Sequence, residues 1–374
     1  MGPRLAHLTG EPKTEDKNAS PRLPRSKDPS LFATDSLVGL VADIGGTNAR
    51  FALAGLDEAG KIVTDFRQDM ADADYPGLEA CVSAYLSRLG AAPRPTLAAF
   101  GVASPIAGDV VQLTNRDWSF SIQAFKAKFD WSRFEVVNDF VAIGHALGGL
   151  ERRHWRPLTG PAWPDELPAA VSLVGPGTGF GVGQVLRGAG GTIVVPTEGG
   201  HASFAPLDEL DIQILRAMLG RFPRVSNERI LSGPGLEHLY QAMAEARGAP
   251  ADPPAAPQIL EAAIAGRDPV ARDTVQRFCL ILGGAMGDVA LVQGAEAVAI
   301  GGGIAPRMIE FLDTTLVRAR FEAKGRAQPV LAKVPVALIT HPEPGLLGAA
   351  RLLFADQAKS RQAATPEPGQ GVAP

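Results

Sequence analysis

Short apolar runs rich in β-branched residues, each cut by a glycine or proline turn, alternate with stretches whose apolar residues recur every three or four positions. That alternation is the pattern of an α/β protein. The opening run, Leu37 to Leu53 (LVGLVADIGGTNARFAL), reads as two strands joined by a tight turn at Asp43-Ile44-Gly45-Gly46-Thr47-Asn48. Lys61 to Phe66 reads as a third strand and Gly77 to Leu89 as an amphipathic helix. Thr96 to Ala103 is a short continuous apolar run, as expected of a buried parallel strand. Pro105 pushes Ser104 to extended geometry and ends that strand. Val110 to Thr114 returns as a strand, Asn115-Arg116-Asp117-Trp118 is a polar loop, and Ser121 to Lys128 is a short helix. Phe134 to Phe140 is a strand that runs into Asn138-Asp139, with a helical pattern from Val141 to Leu147 directly behind it.

The second half repeats the opening device. Val171 to Leu186 gives strand, turn (Gly175-Pro176-Gly177-Thr178-Gly179) and strand. Asp208 to Leu219, Pro234 to Ala246 and Asp268 to about Gln293 read as helices, with a proline and alanine loop at Pro250 to Pro257. Gly283-Gly284 inside the long helix permits close approach of a ligand or another helix. Ala297 to Ile300 is a buried strand that ends in Gly301-Gly302-Gly303 and feeds a helix from Met308 to Arg318. Val334 to Ile339 is the last strand and Leu346 to Phe354 the last helix.

Composition narrows the class. A chain of 374 residues with 45% hydrophobic content can bury a sizeable core, and its length suggests two domains. The net charge of −4 argues against an electrostatic nucleic-acid binder. Cys81 and Cys279 are too few for a disulfide framework or a four-cysteine metal site, and read as small hydrophobes in a reducing cytoplasm. Residues 1–36, rich in Pro, Lys, Arg and Asp with no apolar core, are expected to be a disordered extension and not a signal peptide. The uncharged stretch Leu167 to Leu186 is long enough to span a membrane, but its glycines and Pro176 fit strand, turn, strand instead. No transmembrane helix is expected.

The turns carry the candidate chemistry. A glycine turn offers backbone N–H groups to phosphate, and a carboxylate at its mouth suits that role only with a cation between them. Asp43 is therefore read as steering Mg²⁺, with an ordinary hairpin and a surface Asp as the alternative. The spacing matches neither the dinucleotide fingerprint nor the P-loop. Asp139 stands where functional groups of α/β folds collect, at the carboxyl end of a strand; its other reading is a helix N-cap. Glu198 and His201 flank Gly199-Gly200 and suit polyol recognition, with a metal half-site as the lesser reading. Glu228 is a further candidate, or else compensates a helix dipole behind a Ser226 cap. The triple glycine suggests backbone packed against a flat ligand.

In order along the chain, DIGGTNARFAL, ASPIAGD, TNRDWSF, NDF, GPGTGFG, EGGH, SNERILSGPG and AIGGGIAPR resemble the bacterial glucokinase family, of the actin, hexokinase and Hsp70 type of ATPase fold. The resemblance runs from about Leu37 to Phe354. It implies a two-lobed ribonuclease H-like α/β fold with a cleft between the lobes. The small lobe would comprise 37–149 plus 341–355 and the larger lobe 150–340, with a disordered tail at 356–374. It implies ATP-dependent phosphorylation of the C6 hydroxyl of glucose, with Asp139 as general base and Asn138, Glu198, His201 and Glu228 on the sugar hydroxyls. Ala42, Asp43, Ile44, Gly45, Gly46, Thr47 and Asn48 would form one phosphate turn and Gly175, Gly177, Thr178 and Gly179 the other. Gly301, Gly302 and Gly303 would lie under the adenosine, with Asp43 near the Mg²⁺ and reaching it through water. A cytoplasmic homodimer is expected, with glucose and ATP as its partners and neither nucleic acid nor membrane. The alternatives are a kinase for mannose or an N-acetylhexosamine, and a non-catalytic sugar-sensing regulator. Pro176 removes one N–H donor from the second turn.

Overall fold

The computed structural model describes residues 31–34, 36–113, 117–188, 191–248 and 252–364. The opening hairpin pairs β1 (Gly39–Ile44) with β2 (Asn48–Leu56), and β3 (Ile62–Ala71) adds outside β2, running five residues past the expected Phe66. After α1 (Leu78–Arg88), β4 (Leu97–Val102) lies parallel to β1. A small ribbon follows, of β5 (Val110–Gln112) and the unexpected β6 (Ser119–Ser121), then α2 (Ile122–Lys128). Thr114, Asn115 and Arg116, expected as strand end and loop, lie outside the described residues. β7 (Arg133–Asn138) pairs parallel with β4 and passes directly into α3 (Asp139–Ala146). The first sheet thus has the order β3-β2-β1-β4-β7.

The two faces of β1 are buried against different partners. Leu40, Ala42 and Ile44 pack with Cys81, Val82 and Tyr85 of α1, while Val41 points to the opposite face. A strand covered on both sides reads as a continuous apolar run, which is why VADI and LAAFGV show no alternation.

A second sheet follows. β8 (Trp155–Pro157), β9 (Ala170–Pro176), β10 (Phe180–Gly188) and β11 (Gly191–Thr197) precede the helices α4 (Glu209–Leu219), α5 (Gly233–Ala246), α6 (Ala256–Ile264) and α7 (Pro269–Gln293). β12 (Ala297–Ile300), α8 (Ile309–Leu312), α9 (Thr315–Glu322), α10 (Gln328–Leu331), β13 (Val336–Ile339) and α11 (Pro344–Ala364) complete the chain. The sheet order is β11-β10-β9-β12-β13-β8. One face of it packs on the helices α4 to α9; the other receives Phe140 and Ile143 of α3.

Several expectations are corrected here. α6 was not expected, because its first turn lies inside the proline and alanine stretch; Pro257 sits in that first turn, where its missing N–H costs nothing. The single helix expected over Met308 to Arg318 is broken, because Asp313 turns aside to accept from the Thr159 amide (2.7 Å) and hydroxyl (2.8 Å), and Thr314 caps a new helix. α11 continues to Ala364, past residue 356 where the tail was expected, and buries Ala358. Residues just before 37 are also placed: Ala33 is buried and donates its amide to the Leu56 carbonyl (2.8 Å).

α7 has the length and apolar composition of a membrane span, but most of that stretch is buried inside the protein. Its glycines are seats for α9: a Cβ on Gly283 would lie 2.8 Å from the Val317 carbonyl oxygen, and one on Gly287 would overlap that of Phe321. The close approach expected at Gly283 is to another helix.

Candidate functional site

Parallel pairing brings the candidate residues to common edges. Ile44 aligns with Val102 and Val102 with Asn138, so the first glycine turn and the start of α3 emerge at one end of the first sheet. Val174 likewise aligns with Ile300, which sets Gly175-Pro176 beside Gly301 in the second.

Asn138, not Asp139, is the N-cap of α3: its Oδ1 accepts from the Phe140 amide (2.9 Å), and its Nδ2 donates to the Ser104 carbonyl (3.3 Å). The N-cap reading of Asp139 therefore falls. Asp139 occupies the first helical position, where one of its oxygens also accepts from the Phe140 amide (2.9 Å). Glycine at 101 makes room for it, since a Cβ there would lie 3.0 Å from the Ala142 side chain and 3.5 Å from the Asp139 backbone.

Burial pushes the Asp139 carboxyl up to about 6, and the nearby charge of Asp43 pushes the same way, against the hydrogen bonds at Phe140 and Asn138. Asp43 is itself raised, because its burial outweighs the Arg50 guanidinium 3.0 Å away. Gly345 closes over it: a Cβ there would lie 2.9 Å from the carboxyl carbon of Asp43. Residue 345 is in the first turn of α11, whose positive end favours a carboxylate.

Glu198, His201 and Glu228 come together around the second turn. His201 Nε2 is 3.8 Å from Glu198 Oε2 and His201 Nδ1 is 3.9 Å from Glu228 Oε1. Glu228 is in a turn and not in a helix, so it has no dipole to compensate. Its other oxygen accepts from the Phe180 amide (3.0 Å) and fills the space that a side chain at 179 would need. The Glu198 side chain is 76% exposed and His201 57%, which leaves both available to a ligand. Among the described residues, no group of three or more His, Cys, Asp or Glu is placed to hold a metal ion.

The second turn closes with the Gly177 amide on the Gly179 carbonyl (2.8 Å), and Gly177 in turn accepts from the Gly233 amide at the start of α5 (2.8 Å). Gly302 has φ +82°, a left-handed conformation, and a Cβ there would lie 2.5 Å from the Pro176 carbonyl oxygen. That carbonyl accepts from the Ile304 amide (3.3 Å), so Pro176 links the turn to the triple glycine. The first turn is closed separately, by the Gly45 amide on the Asn48 carbonyl (3.1 Å), with Ala42 buried behind it.

α3 touches both sheets. The Phe140 ring lies 2.6 Å from the Cβ positions of both Gly175 and Gly181, and Gly144 lies under Val194. Asp139 is thereby one residue from a contact with the second turn's own strands.

Sequence reasoning missed Arg50, Phe140, Gly233 and Gly345. Arg50 was recoverable, because counting back from the hairpin turn sets it directly opposite Asp43. The contacts of Phe140 and Gly345 cross between elements far apart in the chain and leave no local signal.

The family model for Glucokinase matches residues 40–356. A glucokinase of Zymomonas mobilis is 40% identical over 310 residues, covering 82% of this chain and 95% of that protein. The crystal structure of a glucokinase from an Antarctic psychrotroph superposes with a TM-score of 0.75 at 38% identity, covering 85% of this chain and 99% of that one. A ROK family glucokinase from Streptomyces griseus, solved with glucose and AMPPNP, shares the fold at a TM-score of 0.55 and 23% identity, covering 85% of this chain and 98% of that one.

Proposed function

The chain belongs to the glucokinase family, and on that premise we propose that it moves the terminal phosphoryl group of ATP to the C6 hydroxyl of D-glucose with Asp139 as general base. It is a hexose-phosphorylating kinase. The observation that carries the assignment of the base is a half-buried carboxyl at the start of α3, raised to about 6 and next in the chain to Phe140, whose ring packs on Gly175 of the second glycine turn. A base whose pKa lies near the working pH both accepts a proton and stays ionised enough to do so.

Phosphoryl transfer asks the protein chiefly for positioning and for neutralisation of charge. One Asp139 oxygen is held by the Phe140 amide, which leaves the other for the hydroxyl proton. Glu198, His201 and Glu228, with Asn138, would take the remaining sugar hydroxyls. Backbone amides at Gly45 to Asn48 and Gly177 to Gly179 would receive the phosphates, and Gly301 to Gly303 would lie under the adenosine.

Mg²⁺ fits the donor set. Asp43 is a desolvated carboxylate whose pKa is raised despite Arg50, and Mg²⁺ on a nucleotide is held by one or two carboxylates, phosphate oxygens and water. When bound, the ion would offset the negative charge of the phosphates.

The same reading takes the fold as two-lobed and ribonuclease H-like, with 37–149 plus 341–355 as one lobe and 150–340 as the other. It takes the protein as a cytoplasmic homodimer; the two buried free cysteines support a reducing compartment. The test is a coupled assay that crosses glucose, mannose, fructose and N-acetylglucosamine with ATP, ADP and polyphosphate. Highest kcat/KM for glucose with ATP is expected, and a clear preference for another pair would overturn the assignment.

A further inference from the structure

α11 lies along α3 in a fixed register. A Cβ on Gly345 would lie 2.9 Å from the carboxyl carbon of Asp43, one on Gly348 would overlap the Ala142 carbonyl, and Arg351 Nε donates to the His145 carbonyl (2.9 Å). Positions 345, 348 and 351 share one face of α11, and 142 and 145 share one face of α3, because residues three apart are neighbours on a helix. The two numberings rise together, so the helices run the same way. The N-terminal end of α11 faces Asp43, and that of α3 carries Asp139.

The far end of α3 is shaped to receive Arg351. Its last turn passes into the connector that leads to β8, and the connector opens with Gly148 and Gly149. Arg351 Nη2 lies 2.8 Å from the Cβ position of Gly148, and Nη1 lies 3.0 Å from that of Gly149. Any side chain at these positions would crowd the guanidinium, so the two glycines leave it bare backbone to lie on. The carbonyl end of a helix also favours a cation, and the planar guanidinium can donate while lying flat. Among the described residues Arg351 has no carboxylate within salt-bridge distance, so it does not serve as half of an ion pair.

We propose that Arg351 is a positioning residue for the phosphoryl transfer: by fastening the end of α3 to α11 it sets the axial position of α3, and with it the place of the Asp139 carboxyl relative to Asp43. The inference rests on Asp139 as the general base. Six residues at about 1.5 Å each put His145 about 9 Å from Asp139 along the axis, a length that a helix spans stiffly. Phe140 restrains the same helix from the side, with its ring against Gly175 and Gly181, and Arg351 restrains it along its axis. A misplacement of about 1 Å at the reacting atoms can cost about 10²-fold in rate.

Steady-state kinetics of Arg351→Met and Arg351→Lys test the proposal. The first keeps an unbranched stem and removes every donor; the second keeps a cation that can reach the same carbonyl. Arg351→Met is expected to lower kcat at least about tenfold with KM for ATP within about twofold of wild type, and Arg351→Lys to turn over at least about threefold faster than Arg351→Met. Wild-type kcat in Arg351→Met would overturn the proposal. So would equal kcat in the two variants, which would reduce Arg351 to packing. Should Arg351→Met not fold, Gly148→Ala carries the test: it pushes the guanidinium off its seat, and a lowered kcat with unchanged KM for ATP supports the role while wild-type kcat overturns it. Asp139→Asn, assayed alongside, reports on the base itself. Low turnover there with normal turnover in Arg351→Met removes only the positioning role, and near-normal turnover in Asp139→Asn removes the reading beneath it.

Discussion

Asp43 lies close enough to Asp139 for its charge to raise the Asp139 pKa, and burial carries that pKa to about 6. The base must be unprotonated to accept the hydroxyl hydrogen. kcat/KM for glucose is therefore expected to fall about tenfold per pH unit below about 6. A pH profile of kcat/KM checks this; a limb near the ordinary Asp value of about 4 would contradict it.

The raised pKa also has a stability sign. The folded state binds the Asp139 proton more tightly than the unfolded state, so this group's contribution to stability is fully present below 3.8 and is lost as pH rises through about 6. At about 1.4 kcal/mol per pKa unit, Asp139→Asn is expected to stabilise the protein at pH 7 by about 1–3 kcal/mol. The same variant should lose about 10²- to 10⁴-fold in turnover while still binding glucose. Thermal unfolding and steady-state kinetics on one preparation read both, and near-normal turnover would remove Asp139 from the role of base.

Glu198 faces solvent beside His201 and carries no structural hydrogen bond that its loss would break among those described. Glu198→Gln is expected to raise KM for glucose by about tenfold or more with little change in KM for ATP, since a site built around a hydroxyl discriminates by unpaired groups. Equal effects on both constants would argue against a sugar contact.

Gly348 of α11 sits where a Cβ would overlap the Ala142 carbonyl of α3. Gly348→Ala must push the two helices apart, which overpacking data put at about 1–3 kcal/mol of destabilisation. Because α3 begins with Asp139, kcat is expected to fall as well. A variant with unchanged Tm and kcat would show that this approach is not required.

Asp43→Asn removes the carboxylate proposed to hold Mg²⁺ and leaves Arg50 without its partner at 3.0 Å. The Mg²⁺ concentration for half-maximal rate is expected to rise at least about tenfold, with glucose affinity unchanged, as Mg²⁺ keeps few protein ligands to begin with. Titration of the rate with Mg²⁺ after chelator treatment decides this.

Local signals located most of the elements that carry the site. DIGGTN, NDF, GPGTG and AIGGG each join a β-branched run to a turn, and short-range periodicity with glycine or proline punctuation is enough to find such joints. Boundaries slipped where tertiary contacts took over. Asp313 left its helix for Thr159, and α11 ran past Phe354 because Ala358 found a buried seat.

From the amino-acid order alone came the α/β class, the paired glycine turns, the carboxylates Asp43, Asp139, Glu198 and Glu228, and the resemblance to a family that phosphorylates glucose. All of these are local or in-line patterns that need no knowledge of distance. Three-dimensional packing decided which residues share a surface: that Phe140 enters the notch at Gly175 and Gly181, that the charge of Asp43 reaches Asp139, and that Arg351 of the last helix lies against Gly148 and Gly149 of the connector. Such relationships join segments from different sheets, and both burial and Coulomb energy depend on separation in space, which spacing along the chain does not encode.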